Sequence, residues 1–319
     1  MDAMKASRIT GYGGSEVTAV EEVPKPKAAD GHVVVEVHAA GVNPFDAKLR
    51  AGNFKDSISL EFPATLGGDI AGVVAEVGTG VSGISVGDEV YGSANATGGA
   101  GSFAEYVAVS ADQLAAKPGN VSFVEAGALP LAGASAYQVV VEHLDIAKGQ
   151  RLLVHGGAGG IGSLAIQIAK HFGAQVITTV RASDRAFAKE LGADEVIDYR
   201  SESFTDLVRD CDAVFDTAGG DVTKDSLKVI RPGGMLASMQ LYGPLEGAED
   251  YDVKVIPVHG KATAERLTAL ARLVDEGAVQ PIVDRTFPLD QAGDALTYLQ
   301  EGHPQGKVVV RVKGERLKK

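Results

Sequence analysis

Cysteine is almost absent: Cys211 is the single one in 319 residues. A disulfide framework and a Cys-rich zinc lobe are thereby excluded, and a buried structural thiol is the reading left. Positive charge is in the minority, with 30 Lys and Arg against 42 Asp and Glu and a net charge of −12. Nucleic acid and anionic membrane would each need a basic face, so neither is an expected partner. No run of about 18 uncharged apolar residues occurs, and the opening MDAMKASRIT has no apolar signal core, which predicts a soluble, cytoplasmic protein. No Ser-His-Asp order or paired-carboxylate spacing points to hydrolysis. Glycine, by contrast, is abundant: 40 of 319 residues, well above the ordinary ~7%, as suits a chain rich in tight turns. At this length, with 45% hydrophobic residues, two domains can each bury a core.

The glycines concentrate in residues 151–173, RLLVHGGAGGIGSLAIQIAKHFG, where an apolar strand runs into a glycine cluster and then into an amphipathic helix. Gly157, Gly159 and Gly162 fit G-x-G-x-x-G, enclosing Ala158, Gly160 and Ile161. Ile161, Leu164, Ala165, Ile168, Ala169 and Phe172 recur on one helical face. A sharp turn, a pyrophosphate close to the backbone and a helix packed near its strand all call for residues without Cβ. The free N–H groups of the first helical turn then attract phosphate without a basic side chain. The pattern predicts a dinucleotide-binding turn.

Up to about residue 123 the chain reads as short β segments cut by Gly and Pro. Val33, Val35 and Val37 alternate with Val34, Glu36 and His38, and residues 70–77 form a second apolar run, as in a partly open barrel. From 131 to 259, strands at 152–155, 176–180, 195–198, 213–217, 235–239 and 254–259 alternate with helices, which predicts a parallel sheet covered on both faces. Gly192 is placed as a helix C-cap, and Leu267, Leu270, Ala271 and Val274 lie on one face of a helix ending at Gly277.

The segments AAGVNPFDAKLRAG (39–52), GDIAGVVAEVG (68–78), VGDEVYG (86–92), GSFAEYVAV (101–109), LPLAGASAYQ (129–138), the glycine turn, LGADEVIDY (191–199) and GKVVV (306–310) stand in one order along the whole chain. That series resembles the medium-chain dehydrogenase/reductase superfamily, within it the zinc-independent quinone and enone oxidoreductases. The resemblance implies an α/β protein: a GroES-like, partly open β-barrel catalytic domain (1–126), a Rossmann NADPH-binding domain with a doubly wound parallel sheet (127–260), and completion of the catalytic domain by 261–319. It also implies a homodimer.

Zinc alcohol dehydrogenases place a cysteine ligand where this chain has Asn43, and a His-Glu pair where it has Gly68-Asp69. The seven histidines are scattered, and no tetrahedral Cys/His set can be assembled, so no metal is expected. Hydride delivery to a simple ketone makes an alkoxide, whose conjugate acid resembles water at about 16, whereas a quinone or enone gives an anion nearer about 10. Six units at ~1.4 kcal/mol each leave roughly 8 kcal/mol less charge to stabilise. Hydrogen-bond donors can manage that, so an apolar quinone or an activated C=C is the expected substrate.

An NAD site usually carries Asp or Glu at the end of the second strand. Here that place reads Thr178, Thr179, Val180, Arg181, which favours the 2′-phosphate of NADPH over NADH. Tyr199 corresponds to a tyrosine that meets this phosphate in similar reductases. Asp184 stands where relatives often carry a cation; Arg185 substitutes for it, or Arg181 and Arg185 are solvated charges at a helix start. The resemblance assigns Asn43 and Lys48 to catalysis, as donors to the substrate carbonyl, with a surface lysine as the alternative for Lys48. It assigns Asp46, Ser135, Thr179 and Lys307 to the cofactor, with a turn or capping role as the alternative for Asp46 and a helix hydroxyl for Ser135. Asp69 and Asp88 read as structural, His155 as packed, and Phe45 and Phe54 as an apolar lid or as core. Two further functions stay open. An enoyl-thioester reductase would want a tyrosine acid, and none stands between Asn43 and Gly72; a non-catalytic NADPH-binding protein, crystallin-like or redox-sensing, would show no turnover.

Overall fold

The computed structural model describes residues 2–314, which divide into two units. Unit 1 takes the described residues up to 131, those of 262–275 and those from 281 onward; unit 2 takes 132–261 and 276–280. The first crossing thus falls five residues past the expected boundary at 126, because the Leu131 N–H donates to the carboxylate of Asp69 in unit 1 at 2.9 Å.

Along the chain come β1 (Ala3–Ile9), β2 (Thr18–Pro24), β3 (His32–Val42), α1 (Pro44–Arg50), β4 (Ala64–Thr65), β5 (Asp69–Val77), β6 (Glu89–Ser93), β7 (Tyr106–Ser110), β8 (Leu114–Ala116) and α2 (Phe123–Gly127). Helix α3 (Pro130–Tyr137) leads into unit 2, with β9 (Arg151–His155), α4 (Gly160–His171), β10 (Gln175–Val180), α5 (Arg185–Glu190), β11 (Glu195–Asp198), α6 (Phe204–Leu207), β12 (Cys211–Asp216), α7 (Asp221–Ser226), β13 (Ile230–Ser238) and β14 (Val253–Pro257). Helix α8 (Ala264–Asp275), β15 (Val283–Pro288), α9 (Ala292–Glu301) and β16 (Lys307–Arg311) return to unit 1.

Unit 2 is a six-stranded sheet in the order β11-β10-β9-β12-β13-β14, parallel throughout. Chain order reverses at β9, and in doubly wound sheets ligands bind beyond the strand ends at that reversal. Leu152, Leu153 and Val154 are all fully buried, as strands covered on both faces must be. Helix α4 departs from the expected face: Leu164, Ala165, Ile168 and Ala169 are buried, but Ile161 is half-buried and Phe172, at the C-cap, is exposed, while Gly162, Ser163, Ile166 and Gln167 are buried too. The Gln167 amide exchanges two hydrogen bonds with the backbone of Gln280, at 3.0 and 2.8 Å, and so draws 276–280 over its second side. Cys211 is buried in β12, and burial pushes its thiol up to about 12, so it is inert at neutral pH.

Unit 1 holds a three-stranded sheet, β2-β1-β4, and a larger one ordered β15-β16-β3-β5-β6-β8, with β7 also pairing β3. Strand β3 carries β7 along its first half and β16 along its second. The expected in/out alternation of β3 does not hold: Val34 and His38 are buried as well, because Phe123 of α2 stacks on His38 with ring centroids 4.2 Å apart. Helix α8 belongs to unit 1 because the buried Tyr91 hydroxyl donates to the Leu267 carbonyl at 2.5 Å and the Asn120 amide to that of Val274 at 2.9 Å.

Candidate active site

In unit 2 the glycine turn is made by packing. Gly156, which the sequence motif leaves out, is the residue with positive φ, +76°; its N–H and that of Gly157 donate to the Thr179 carbonyl at the end of β10, at 3.1 and 3.3 Å. A Cβ on Gly157 would lie 2.0 Å from Thr178 Oγ1, and one on Gly162 2.2 Å from the Gly156 carbonyl oxygen. Those two glycines are demanded by the protein itself. Gly159 differs: a Cβ there would meet nothing closer than the Gly156 oxygen at 3.4 Å, so its bare side faces open space. Gly159 caps α4, whose first N–H groups, from Gly160, Ile161 and Gly162, have no partner within the helix. An open glycine before a helix start with spare donors fits a pyrophosphate. Ala158 is half-buried within the same turn.

Around the turn, His155 is held on both nitrogens. Ser226 Oγ donates to the Val222 carbonyl, so it accepts from His155 Nε2 at 3.1 Å, and Nδ1 accepts from Thr179 Oγ1 at 3.0 Å. Burial lowers the imidazole to about 4, so it is neutral and packed, as expected. The Thr179 hydroxyl, expected at the cofactor, is spent on this histidine. Asp216 at the end of β12 organises the next loop, accepting from the Ala218 and Gly219 N–H groups at 2.9 Å and from Thr223 and Ser238 at 2.5 and 2.8 Å. Sequence reasoning missed Asp216, although an Asp followed by small residues at a strand end is an Asx-turn signal.

Both arginines expected at the phosphate have protein partners. Arg181 Nε donates to Asp184 at 2.9 Å, and the carboxylate is buried; Arg185 donates to the Val196 carbonyl at 2.8 Å and pairs with Glu202. Neither is merely solvated. Tyr199 is 54% exposed, its N–H on the Val180 carbonyl, which sets it beside Arg181 at the ends of β11 and β10. Ser135 is fully buried in α3, and its hydroxyl has no partner among the described residues, an orphaned donor of the kind a ligand amide would satisfy.

In unit 1 a buried polar cluster gathers where β3 ends. Lys307 Nζ, from β16, donates to the Val42 carbonyl at 2.8 Å and Asn43 Oδ1 at 2.6 Å, and lies 3.4 Å from Asp69 Oδ2. Asn43 Nδ2 donates to the same Asp69 oxygen at 2.9 Å, and Asp69 Oδ1 accepts from the Leu131 N–H. Asn43 Nδ2, the Leu131 N–H and Lys307 Nζ all donate to Asp69, so it acts as an anion on both oxygens; burial raises its carboxyl, against the pull of Lys307. Lys307, expected at the cofactor, therefore has its ammonium inside this cluster. Asp46 takes the capping role held open for it, accepting the Asn43 N–H at 2.9 Å at the start of α1. Burial first, then the charge of Asp69, raises Asp46 to about 7. Lys48, one turn along α1, is half-buried and its ammonium makes no hydrogen bond or ion pair with the described residues. The far end of α1 is fixed by Arg50, which donates to the Gly293 carbonyl at 2.7 Å on α9. Phe45 and Phe54 lie with ring centroids 5.2 Å apart, both half-buried, and pack on the unit 1 core. Among the described residues no group of three His, Cys, Asp or Glu side chains is placed to hold a metal.

A GroES-like unit carrying a polar cluster, with a doubly wound unit carrying a glycine turn at a helix start, defines a class: the two-domain nicotinamide-dependent oxidoreductases. The comparisons agree. Residues 29–119 match the alcohol dehydrogenase GroES-like domain, and 191–310 match the zinc-binding dehydrogenase family. The chain is 39% identical to a 2-methylene-furan-3-one reductase of Solanum lycopersicum and 38% identical to an NADPH-dependent alkenal/one oxidoreductase, chloroplastic, of Arabidopsis thaliana, each over 96% of this chain and 79% of the relative. It superposes on a quinone oxidoreductase from Coxiella burnetii with a TM-score of 0.90 at 34% identity, covering 98% of this chain and 100% of that one. The chain belongs to the medium-chain dehydrogenase/reductase superfamily, among its quinone and alkenal/one oxidoreductases.

Proposed function

We propose that this chain is an NADPH-dependent reductase of enones, 2-alkenals or quinones that works without zinc. The observation that carries the reading is the Lys307 ammonium seated between Asn43 Oδ1 and Asp69 Oδ2. Where zinc relatives place ligands, this chain offers one amide oxygen and one carboxylate, both already bound to an organic cation. A metal would have to displace that cation and would find no thiolate or imidazole in return. Without a Lewis acid the reaction is limited to acceptors whose developing anion is intrinsically stable, by the roughly 8 kcal/mol that separates an enolate or phenolate from an alkoxide.

When bound, NADPH supplies the hydride. The open side of Gly159 and the α4 donors would hold its pyrophosphate, Ser135 its amide, and Arg181 with Tyr199 its 2′-phosphate. Lys48 and Asn43 donate toward the oxygen on which charge collects, and an ammonium without an internal partner is poised for that role. The chain's own polar groups thus bind, orient and stabilise charge, and solvent can supply the final proton. The same reading takes the protein to be a cytoplasmic homodimer; a mass of two chains in light scattering and recovery in the soluble cell fraction would support this.

The test is a panel: NADPH and NADH oxidation rates with a quinone, an enone, a 2-alkenal and an enoyl thioester. Fast NADPH turnover with the first three is expected. A preference for the thioester would move the assignment to an enoyl-thioester reductase, and no turnover at all would leave a dinucleotide-binding protein.

A further inference from the structure

Two buried hydrogen bonds settle which way round the Asn43 amide sits. Lys307 Nζ can only donate, so the amide atom 2.6 Å from it is oxygen; Asp69 accepts, so the atom 2.9 Å from its carboxylate is nitrogen. The amide is therefore gripped at both ends by groups of opposite charge, and it is buried. A cation on the oxygen of an amide draws electron density from its nitrogen and makes both N–H groups stronger donors. One of these N–H groups goes to Asp69; Nδ2 makes no second hydrogen bond among the described residues.

The backbone supports the same grip. Lys307 opens β16, whose neighbour Val308 lies in register with Val42 on β3, and Nζ also takes the Val42 carbonyl at 2.8 Å. The last strand among the described residues is thus laid against the residue that precedes Asn43. The Lys307 side chain reaches both the backbone and the side chain at the point where β3 gives way to α1.

Resting on the reductase reading above, we infer that Lys307 is a positioning residue for the reduction: acting through Asn43 Oδ1, it holds and polarises the amide whose second N–H donates to the oxyanion of the acceptor. The acceptor gains hydride at its β-carbon as the dinucleotide is oxidised, the π pair moves to oxygen as an enolate, and solvent returns a proton at the α-carbon. Lys307 touches neither substrate nor cofactor, and its contribution is to the strength and aim of one donor.

Lys307→Met alone would strand Asp69 as an unpaired buried anion and destabilise the fold. The informative variant is Lys307→Met combined with Asp69→Asn, which removes both charges together, assayed beside Asn43→Ala. With an enone and NADPH, the double variant is expected to melt near the wild type and to bind NADPH with wild-type affinity by calorimetry. Its kcat should fall about 10- to 100-fold, as when an oxyanion donor is weakened. A purely structural role would leave kcat intact once folding and binding are. If Asn43→Ala lowers kcat and the double variant does not, the inference is overturned while the reductase reading stands. If neither lowers kcat, Asn43 is no donor and the inference falls with that assignment. Should the neutral pair fail to fold, Lys307→Arg keeps a donating cation: a kcat near the wild type supports the inference, and one as low as that of Asn43→Ala in a normally melting protein contradicts it.

Discussion

The glycine turn and the Asn43 cluster build recognition by opposite means. The turn uses backbone: residues 156–162 are contiguous, carry no charged side chain, and offer N–H groups beside the bare face of Gly159. The cluster uses side chains drawn from distant segments, with Asn43 and Lys307 separated by 264 positions. A contiguous backbone site tolerates change everywhere except at the atoms the ligand or the packing must approach. A converged side-chain site is sensitive at every member, because each buried charge is balanced by another.

The sharpest way to break this contrast lies within the turn. Gly159→Val should lower NADPH affinity on the order of 100-fold or more, since the branch fills the side a pyrophosphate needs, yet leave the melting temperature nearly unchanged, because φ there is −79° and the site is open. Gly157→Ala should do the reverse and cost about 1–3 kcal/mol of stability, its Cβ falling on a Thr178 hydroxyl that is itself bonded to the Val154 carbonyl. Calorimetry and thermal melts of the pair check both halves; equal loss of stability would mean that Gly159 is also demanded by packing.

In unit 1, Lys48→Ala should lower kcat/KM by about 100-fold while shifting stability by less than about 0.5 kcal/mol, as befits an ammonium with no partner among the described residues. An unchanged kcat/KM would show the lysine to be an ordinary surface group. Arg181→Ala should raise KM for NADPH by about 10-fold and leave KM for NADH unaltered. The effect belongs at the low end for a charge-assisted phosphate contact because Asp184 already engages the guanidinium. Equal loss with both cofactors would mean that Arg181 serves structure alone.

The smallest effect is a pH dependence. Folded Asp46 titrates at about 7, above its ordinary 3.8, so between those values the folded state keeps a proton the unfolded chain has lost. Its contribution to stability is present at low pH and disappears as pH rises through 7. Asn at this position does not titrate, so the melting temperature of Asp46→Asn relative to the wild type should climb by about 3–8 °C between pH 5 and pH 8. A difference flat across that range would mean that water or relaxation screens the carboxyl.

The contrast between the sites also explains what could be read in advance. The turn, the strand sequence of unit 2 and the Gly192 cap, with its φ of +103°, are local patterns, and local patterns survive in one dimension. Gly156 escaped because the motif names spacing, not the residue whose φ must be positive. The partners of Lys307, Thr179 and Arg185 escaped because a side chain's neighbours across a sheet leave no periodic trace. The burial of Val34 and His38 escaped for the same reason: α2, which covers that face, lies about 80 residues downstream of a strand whose own pattern is an ordinary alternation.

The central claim is that the charge formed during reduction is carried by the protein's own donors. Its most direct test is the turnover of NADPH with an enone by protein whose zinc content has been measured, before and after exhaustive chelation. The expected result is zinc far below one per chain and an unchanged kcat. One tightly bound zinc per chain, with activity lost on its removal and restored by its return, would contradict the claim.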